Sequence, residues 1–115
     1  MLKINETDMS IMLTRGDSAE IELTVKDAQG NTYDYSNDTA KFGIKRSALD
    51  KNVLLEKTFD ENGKIYFDPD DTKDMEFGDY LYSVELTNVD ESGEEPVTTV
   101  NTVIVSTFTL GFNVL

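Results

Sequence analysis

The most informative stretch of the chain is residues 76–87, which reads EFGDYLYSVELT. From position 80 onward, large apolar side chains stand at every second position, and mostly polar ones lie between them. This period of two is typical of a β-strand that buries one face and exposes the other. The stretch therefore predicts a strand whose inward face carries Tyr80, Tyr82, Val84 and Leu86.

The same alternation recurs along the rest of the chain, with turns rich in Gly, Asn and Asp between the runs. Besides residues 80–87, strands are predicted over residues 9–13, 19–26, 40–45, 53–59, 64–68 and 97–108. Residues 69–75 are long enough for one helical turn and carry no longer amphipathic face. About seven strands and no ordinary helix predict an all-β protein, and 115 residues suffice for one domain, residues 1–115, but not for a second core.

A turn signal separates the predicted strands 53–59 and 64–68, because Asn62 and Gly63 lie between them. Asn-Gly between two strand-like runs is typical of a tight β-hairpin. We therefore expect these two strands to be antiparallel neighbours.

The crossover before residues 80–87 carries Glu76, Gly78 and Tyr80 at intervals of two. Immunoglobulin-like sandwiches have an acidic residue, a small residue and a tyrosine with this spacing before the penultimate strand, and the tyrosine hydroxyl bonds back to the main chain. Tyr82 then stands at the inward position where antibody domains carry a disulfide cysteine. We therefore expect an immunoglobulin-like β-sandwich of about seven antiparallel strands.

The composition excludes several classes of function. The chain has no cysteine and no histidine, which rules out disulfides, His-containing catalytic triads, and metal sites built on His or Cys. Carboxylate chemistry remains, but a sandwich this small would scarcely provide a cleft that buries a sugar. We therefore expect no enzyme, no catalytic or metal-binding residue, and no cofactor.

The charge and the hydropathy pattern limit the partners. Asp and Glu outnumber Lys and Arg by 23 to 10, and a formal charge of −13 repels nucleic acid and anionic lipid surfaces. No apolar run reaches the length of a membrane-spanning helix, and the first residues do not have the pattern of a secretory signal. We expect a protein that begins in the cytosol and binds neither nucleic acid nor membrane.

Four features allow a structural and a functional interpretation. Residues 15–18, RGDS, match an adhesion tripeptide, but they also suit the turn that is needed there. The acidic runs 60–62 and 68–74 are read as hydrated turns, with calcium binding as the alternative. Residues 107–115 stay apolar, which indicates either a last strand packed on the core or a contact with another chain. Exposed aromatic residues suit a carbohydrate-binding surface, and the candidates are Tyr33, Tyr35 and Tyr66.

The order of these elements resembles a known family. Residues 14–18 (TRGDS), 30–35 (GNTYDY), 42–45 (FGIK), 68–72 (DPDDT) and 77–86 (FGDYLYSVEL) together are similar to the N-terminal domain family of the baseplate upper protein, one of the immunoglobulin-like domains of phages and prophages. The resemblance covers roughly residues 9–108. It implies a non-catalytic structural part of a virion, in a tail, baseplate, neck or fibre, that is made in the bacterial cytoplasm and whose partners are other virion proteins. Docking through a sheet edge, or self-association through the apolar C-terminal tail, is then expected.

Overall fold

The computed structural model describes residues 1–112 and consists almost entirely of β-strands and loops. Its elements are β1 (Leu2–Ile4), β2 (Ile11–Thr14), β3 (Ala19–Glu22), β4 (Thr39–Lys45), β5 (Leu55–Thr58), β6 (Lys64–Phe67), α1 (Pro69–Thr72), β7 (Gly78–Asp90) and β8 (Val97–Gly111). The prediction of an all-β chain with a single helical turn is confirmed. The described residues form eight strands instead of about seven, because the short β1 was not predicted.

The strands form a large mixed sheet and a small second sheet. The order in the large sheet is β1-β2-β8-β7-β4-β5, and β3 pairs with β6 in the small one. β2 runs parallel to β8, with Ile11 opposite Phe108, whereas the other paired strands are antiparallel. The expectation of antiparallel strands throughout is therefore wrong at the β2–β8 pair. An alternating pattern reports which face of a strand is buried and carries no information about the direction of its neighbour.

The predicted hairpin around Gly63 is also wrong. β5 pairs with β4 and β6 pairs with β3, so the turn at residues 60–63 leads from one sheet to the other. The turn itself forms: the Asp60 amide donates to the Lys64 carbonyl oxygen (2.9 Å), and the carbonyl oxygen of Gly63 accepts from the Leu23 amide (2.8 Å). This last bond ties the turn to the chain that follows β3, which draws β6 away from β5.

Aromatic side chains from both sheets share one core. Phe42 of the large sheet meets Phe67 of the small sheet edge to face, with 5.7 Å between ring centroids, and Phe67 lies 6.1 Å from Phe108. Phe42 also stacks on Tyr82 at 5.2 Å. Burial of such rings is a large apolar contribution to folding, and edge-to-face pairs add roughly 0.5–1.5 kcal/mol beyond it. The inward face predicted for residues 80–87 is confirmed, since Tyr80, Tyr82, Val84 and Leu86 are all buried.

The crossover into β7 has the predicted hydrogen bond. The Tyr80 hydroxyl donates to the carbonyl oxygen of Glu76 at 2.5 Å, which fixes the chain just before β7 begins. Gly78, between them, has a φ of 129°, which side-chain-bearing residues rarely adopt. The Tyr82 hydroxyl donates to the carbonyl oxygen of Met9, so β7 also holds the segment that leads into β2.

Candidate functional site

The main surface feature is a two-stranded arm, residues 88–99, formed by the distal parts of β7 and β8. β4 pairs with β7 only as far as Thr87, whereas β7 and β8 stay paired out to Asp90 opposite Val97. The arm contributes to the elongated shape of the molecule, whose principal extents are 56 × 30 × 24 Å. A two-stranded ribbon on its own is marginally stable in water. The arm would therefore gain stability from any strand added beside it.

The tip of the arm is acidic, whereas its β8 strand is uncharged. The tip carries acidic groups at Asp90, Glu91, Glu94 and Glu95, whereas residues 97–112 contain no charged side chain. The Ser92 hydroxyl and amide donate to the Asp90 carboxylate at 2.6 and 2.9 Å, and these bonds hold the pKa of Asp90 below its usual value. The tip is therefore strongly anionic at neutral pH, and the β8 side of the arm is neutral.

The edge of β8 that faces away from β7 is open along the arm. β2 covers this edge only at residues 108–111, and the Ser106 hydroxyl reaches back to the carbonyl oxygen of Asp8 at 2.8 Å. Over residues 97–103, no other backbone segment within residues 1–112 pairs with it. Proteins protect exposed edges with Lys, Pro, bulges or short strands, because an open edge accepts further strands. Here the edge itself carries no charge, and a single bulge in the β7–β8 pairing leaves Val103 of β8 without a partner between Thr102 and Ile104.

Apolar side chains on both faces of the arm are exposed. Val89 of the arm and Val100 at its base lie near each other on one face, at 49% and 55% exposure, and Val97 lies on the other face at 60%. Residues 97–102 are exposed without exception. The arm therefore offers Val and Thr side chains together with free main-chain groups, the combination that strand addition uses.

A second surface feature is a groove over Gly43 on the outer face of the large sheet. Its volume is about 300 Å³, and its floor and walls include Gly43, Ser83, Val53 and Leu81. Gly43 has no left-handed backbone conformation, and a Cβ built there would meet Val53 Cγ1 at an ordinary 3.7 Å. Neither backbone geometry nor crowding requires this glycine, and glycine within a strand often marks a site where a ligand or another chain approaches closely.

The RGDS segment forms the predicted turn between β2 and β3. Gly16 has a φ of 83°, as a turn glycine should, and its amide donates to the buried Thr72 Oγ1 at 2.9 Å. The Arg15 guanidinium lies 3.9 Å from the centre of the Phe77 ring, and Asp17 pairs with the amino group of Met1. The side chains of the tripeptide thus make contacts within the domain.

The acidic runs act locally on their own backbone. The Asp60 carboxylate accepts from the amides of Asn62 (2.9 Å) and Lys64 (3.0 Å), and Asp68 and Asp71 form a reciprocal cap on α1. Burial disfavours the charged form of Asp71, but the Lys57 ammonium 2.7 Å away and the Asp68 amide outweigh it and lower the pKa of Asp71. Within residues 1–112, no group of three or more acidic residues could hold a metal ion.

The three tyrosines considered for carbohydrate binding occupy different settings. Tyr35 is half-buried, and its hydroxyl donates to the Leu23 carbonyl oxygen at 2.6 Å. Tyr33 is exposed and bonded to Asp38 at 3.1 Å, and its hydroxyl pKa is raised chiefly by that hydrogen bond. Tyr66 is exposed on β6. Of the three, Tyr35 is thus only partly accessible, and its hydroxyl holds its own loop against the chain at Leu23.

The apolar tail divides into a core part and an outer part. Phe108 and Leu110 are completely buried, which confirms the interpretation that the last strand packs on the core this far. Phe112 is exposed to 75% and contacts Phe77, with 4.1 Å between ring centroids. The rest of the predicted tail, residues 113–115, lies outside the described part of the chain.

Sequence reasoning did not find the arm. The signal was present, because an acidic run at residues 90–95 is followed by a long uncharged run of Val and Thr. This uncharged run is longer than an ordinary strand, which has about five or six residues. The sequence predictions did not use its extra length.

In the part of the chain that the structure describes, no helix has the length and apolar character to cross a membrane. Comparison with protein-family models, with curated proteins and with solved structures gave no match.

Proposed function

We propose that the chain is a non-catalytic structural and interaction module of a bacteriophage or prophage virion, in a tail, baseplate, neck or fibre, built on an immunoglobulin-like β-sandwich. The virion assignment rests on the sequence resemblance across residues 9–108. The interaction role rests on one structural observation, the projecting arm with its open β8 edge at residues 97–103.

Two observations support the immunoglobulin-like assignment. The run β4-β7-β8 corresponds to strands C, F and G of such domains, and the pair β3-β6 corresponds to strands B and E. The tyrosine corner lies where this correspondence requires it, since Tyr80 bonds to Glu76 at the entrance to β7. The parallel β2–β8 pair then corresponds to the contact between the first and last strands of such domains, with β2 as strand A and β8 as strand G.

The interaction role follows from the chemistry of the arm. An open edge binds another chain through main-chain hydrogen bonds, and the alternate side chains select the partner. A neutral, Val- and Thr-rich edge on a chain of charge −13 is the part of the surface that another acidic protein can approach with least repulsion.

Purified particles provide the test of the virion role. Phage particles produced by the bacterium that carries the gene are banded on a density gradient and probed with an antibody against this chain. We expect the chain to band with the particles in a constant ratio to the other structural proteins. Finding it only in the particle-free fraction would contradict the proposal.

A matched variant tests whether the arm is the attachment. Replacing residues 89–98 by Asn-Gly shortens the arm, and the control replaces Tyr66, exposed on β6, by Phe. We expect the shortened chain to fold but to be missing from particles, while the control is incorporated. Normal incorporation of the shortened chain would assign attachment to another surface.

A second candidate function is binding of a carbohydrate ligand in the groove over Gly43. Lys41, Lys45 and Ser83 line this groove and offer hydrogen-bond donors to sugar hydroxyls, and its volume of about 300 Å³ is at the lower end of the range for ligand sites. Gly43→Thr would narrow the groove, since its Cβ would meet Val53 Cγ1 at an ordinary 3.7 Å and its branched side chain would extend into the open space. If cell-wall glycan raises the melting temperature of the wild type but not of this variant, the groove binds it, because a ligand that binds only the folded state stabilises it.

A further inference from the structure

We infer that residues 97–103 of β8 pair antiparallel with the same residues of a second copy, about a twofold axis at Val100. One sheet would then continue through two molecules, in the order β4-β7-β8 and onward through β8, β7 and β4 of the second copy. The inference rests on the proposed interaction role and names its partner, another copy of this chain.

The first step is the availability of the edge. Neither β2 nor any other segment within residues 1–112 pairs with this part of β8, and residues 97–102 are exposed on both faces of the arm. β7 already satisfies the main-chain groups on one side of β8. The groups on the other side are directed outward and can bond to a further strand.

The second step is the sequence of the edge, which reads nearly the same in both directions. An antiparallel twofold pair centred on Val100 places Thr98 opposite Thr102, and Val97 faces Val103, the bulge residue at the end of the regular part of the strand. It also places Thr99 opposite Asn101, and Val100 opposite its own copy. β-Branched pairs and Thr–Thr pairs directly opposite one another are favourable in antiparallel sheets. This self-complementarity favours a second copy over an unrelated strand. The seven residues are VTTVNTV, residues 97–103.

The third step is electrostatic. Two chains of charge −13 repel each other, so a contact between copies requires a surface without acidic groups, and residues 97–112 are uncharged. In the twofold arrangement the two acidic tips, residues 90–95, point away from each other, and each extends past Val103 of the other copy towards its Ser106. The remaining repulsion between the two molecules is long-range and is therefore reduced by salt.

The fourth step is the stability of the arm. As a two-stranded ribbon the arm exposes Val89 and Val97, and each of its strands has only the other as a neighbour. Pairing with the second copy places its β8 and β7 beside the arm, which gives a sheet of at least four strands, and three or more strands are what an independent sheet needs in water. Each copy thus supplies the strands that the other arm lacks.

Disulfide crosslinking tests the register, and the absence of cysteine from the natural chain gives a background of zero. Directly opposed residues of an antiparallel pair have Cα atoms about 4.5–5.5 Å apart, within the range of a disulfide. Val100→Cys should therefore form a covalent dimer under mild oxidation. Thr98→Cys should not, because the two copies of position 98 lie four residues apart along the strands, roughly 14 Å.

A double variant completes the test. Thr98→Cys combined with Thr102→Cys places each new thiol opposite the other position of the second copy, and crosslinking should return. If Val100→Cys stays monomeric under oxidation, or if Thr98→Cys alone crosslinks as well as Val100→Cys does, the twofold register is wrong and the inference fails.

Charge variants test the same contact without covalent chemistry. Thr98→Lys with Thr102→Lys opposes like charges across the axis and should abolish the dimer in sedimentation velocity. Thr98→Glu with Thr102→Lys opposes unlike charges and should restore it. Dimerisation of the wild type should strengthen between about 0.1 M and about 1 M salt, as the Debye length falls from roughly 10 Å to 3 Å. Loss of the dimer in both variants, or in neither, would overturn the inference.

The outcomes separate this inference from the proposed function. A chain that is present in particles but never crosslinks at Val100 refutes the twofold contact alone. A chain that dimerises as described but is missing from particles refutes the virion role alone.

Discussion

Gly63 and Gly43 illustrate at the residue scale how differently two glycines can be constrained. Gly63 is buried with a φ of 73°, and a Cβ there would collide with the Tyr35 hydroxyl, which is bonded to the Leu23 carbonyl oxygen. Gly43 has ordinary strand geometry and free space above it. The Asn-Gly signal at residues 62–63 therefore reflects a required backbone conformation and close packing, even though the strands on either side do not pair with each other.

This contrast gives a matched pair of predictions. Gly63→Ala should lower the free energy of unfolding by about 1–2 kcal/mol or more, because it adds left-handed strain and displaces Tyr35. Gly43→Ala should leave it unchanged or raise it by about 0.4–1 kcal/mol, since alanine restricts the unfolded chain. Urea denaturation of both variants measures the difference. If Gly43→Ala destabilises the protein as much as Gly63→Ala does, there is no free space for a side chain above Gly43.

Tyr82 predicts an alkaline limit to stability. Burial, with a smaller contribution from the Asp8 carboxylate, raises the pKa of Tyr82 to about 12 from an ordinary value of 10.0. Because the unfolded chain loses this proton first, the contribution of Tyr82 to stability is complete below pH 10 and is lost as the pH rises from about 10 to about 12. The loss is on the order of 2 kcal/mol.

Tyr82→Phe checks this prediction. It should cost about 1 kcal/mol at neutral pH, because the bond to the Met9 carbonyl oxygen is lost. Between pH 10 and 12, the melting temperature of this variant should also fall less steeply than that of the wild type. The control Tyr66→Phe, on the exposed face of β6, should keep the steep decline. The same decline in Tyr82→Phe would contradict the assignment.

At the scale of elements, the sequence predicted burial better than pairing. Alternation identified the inward residues of β4 and β7, and the spacing of Glu76, Gly78 and Tyr80 identified the crossover bond, because both are local properties. The β5–β6 hairpin was predicted wrongly, since local turn chemistry does not determine which sheet each strand joins. In the structure, the bond from the Leu23 amide to Gly63 holds this turn beside β3.

The arm predicts a clean separation between folding and association. Replacing residues 89–98 by Asn-Gly removes no buried side chain, and Asn88 can keep its 2.8 Å bond to Asp38. We expect circular dichroism to remain that of a β-protein and the free energy of unfolding to change by less than about 1 kcal/mol, while self-association disappears. A shortened chain that unfolds would mean that the arm supports the core.

At the scale of the whole molecule, the sequence predicted an all-β chain and its core but not its mixed sheet. The direction of β2 relative to β8 depends on where the chain crosses between the sheets. This is a non-local property, and the alternation of apolar and polar residues along one strand carries no information about it. The arm is likewise visible only when the sheet is assembled, because β4 begins at Thr39, opposite Thr87, while β7 and β8 continue beyond that point. The contrast between an acidic molecule and an uncharged last strand is present in the sequence but entered none of the predictions.

Hydrogen exchange measured at low and high protein concentration tests most directly the claim that the open edge of β8 is the interaction surface. At low concentration, we expect amides within residues 97–103 that face away from β7 to exchange rapidly, while those of β4 and the body of β7 are protected. At high concentration, protection should appear in residues 97–103 and nowhere else to the same degree. Protection of these amides at every concentration, or new protection only at other surfaces, would contradict the account.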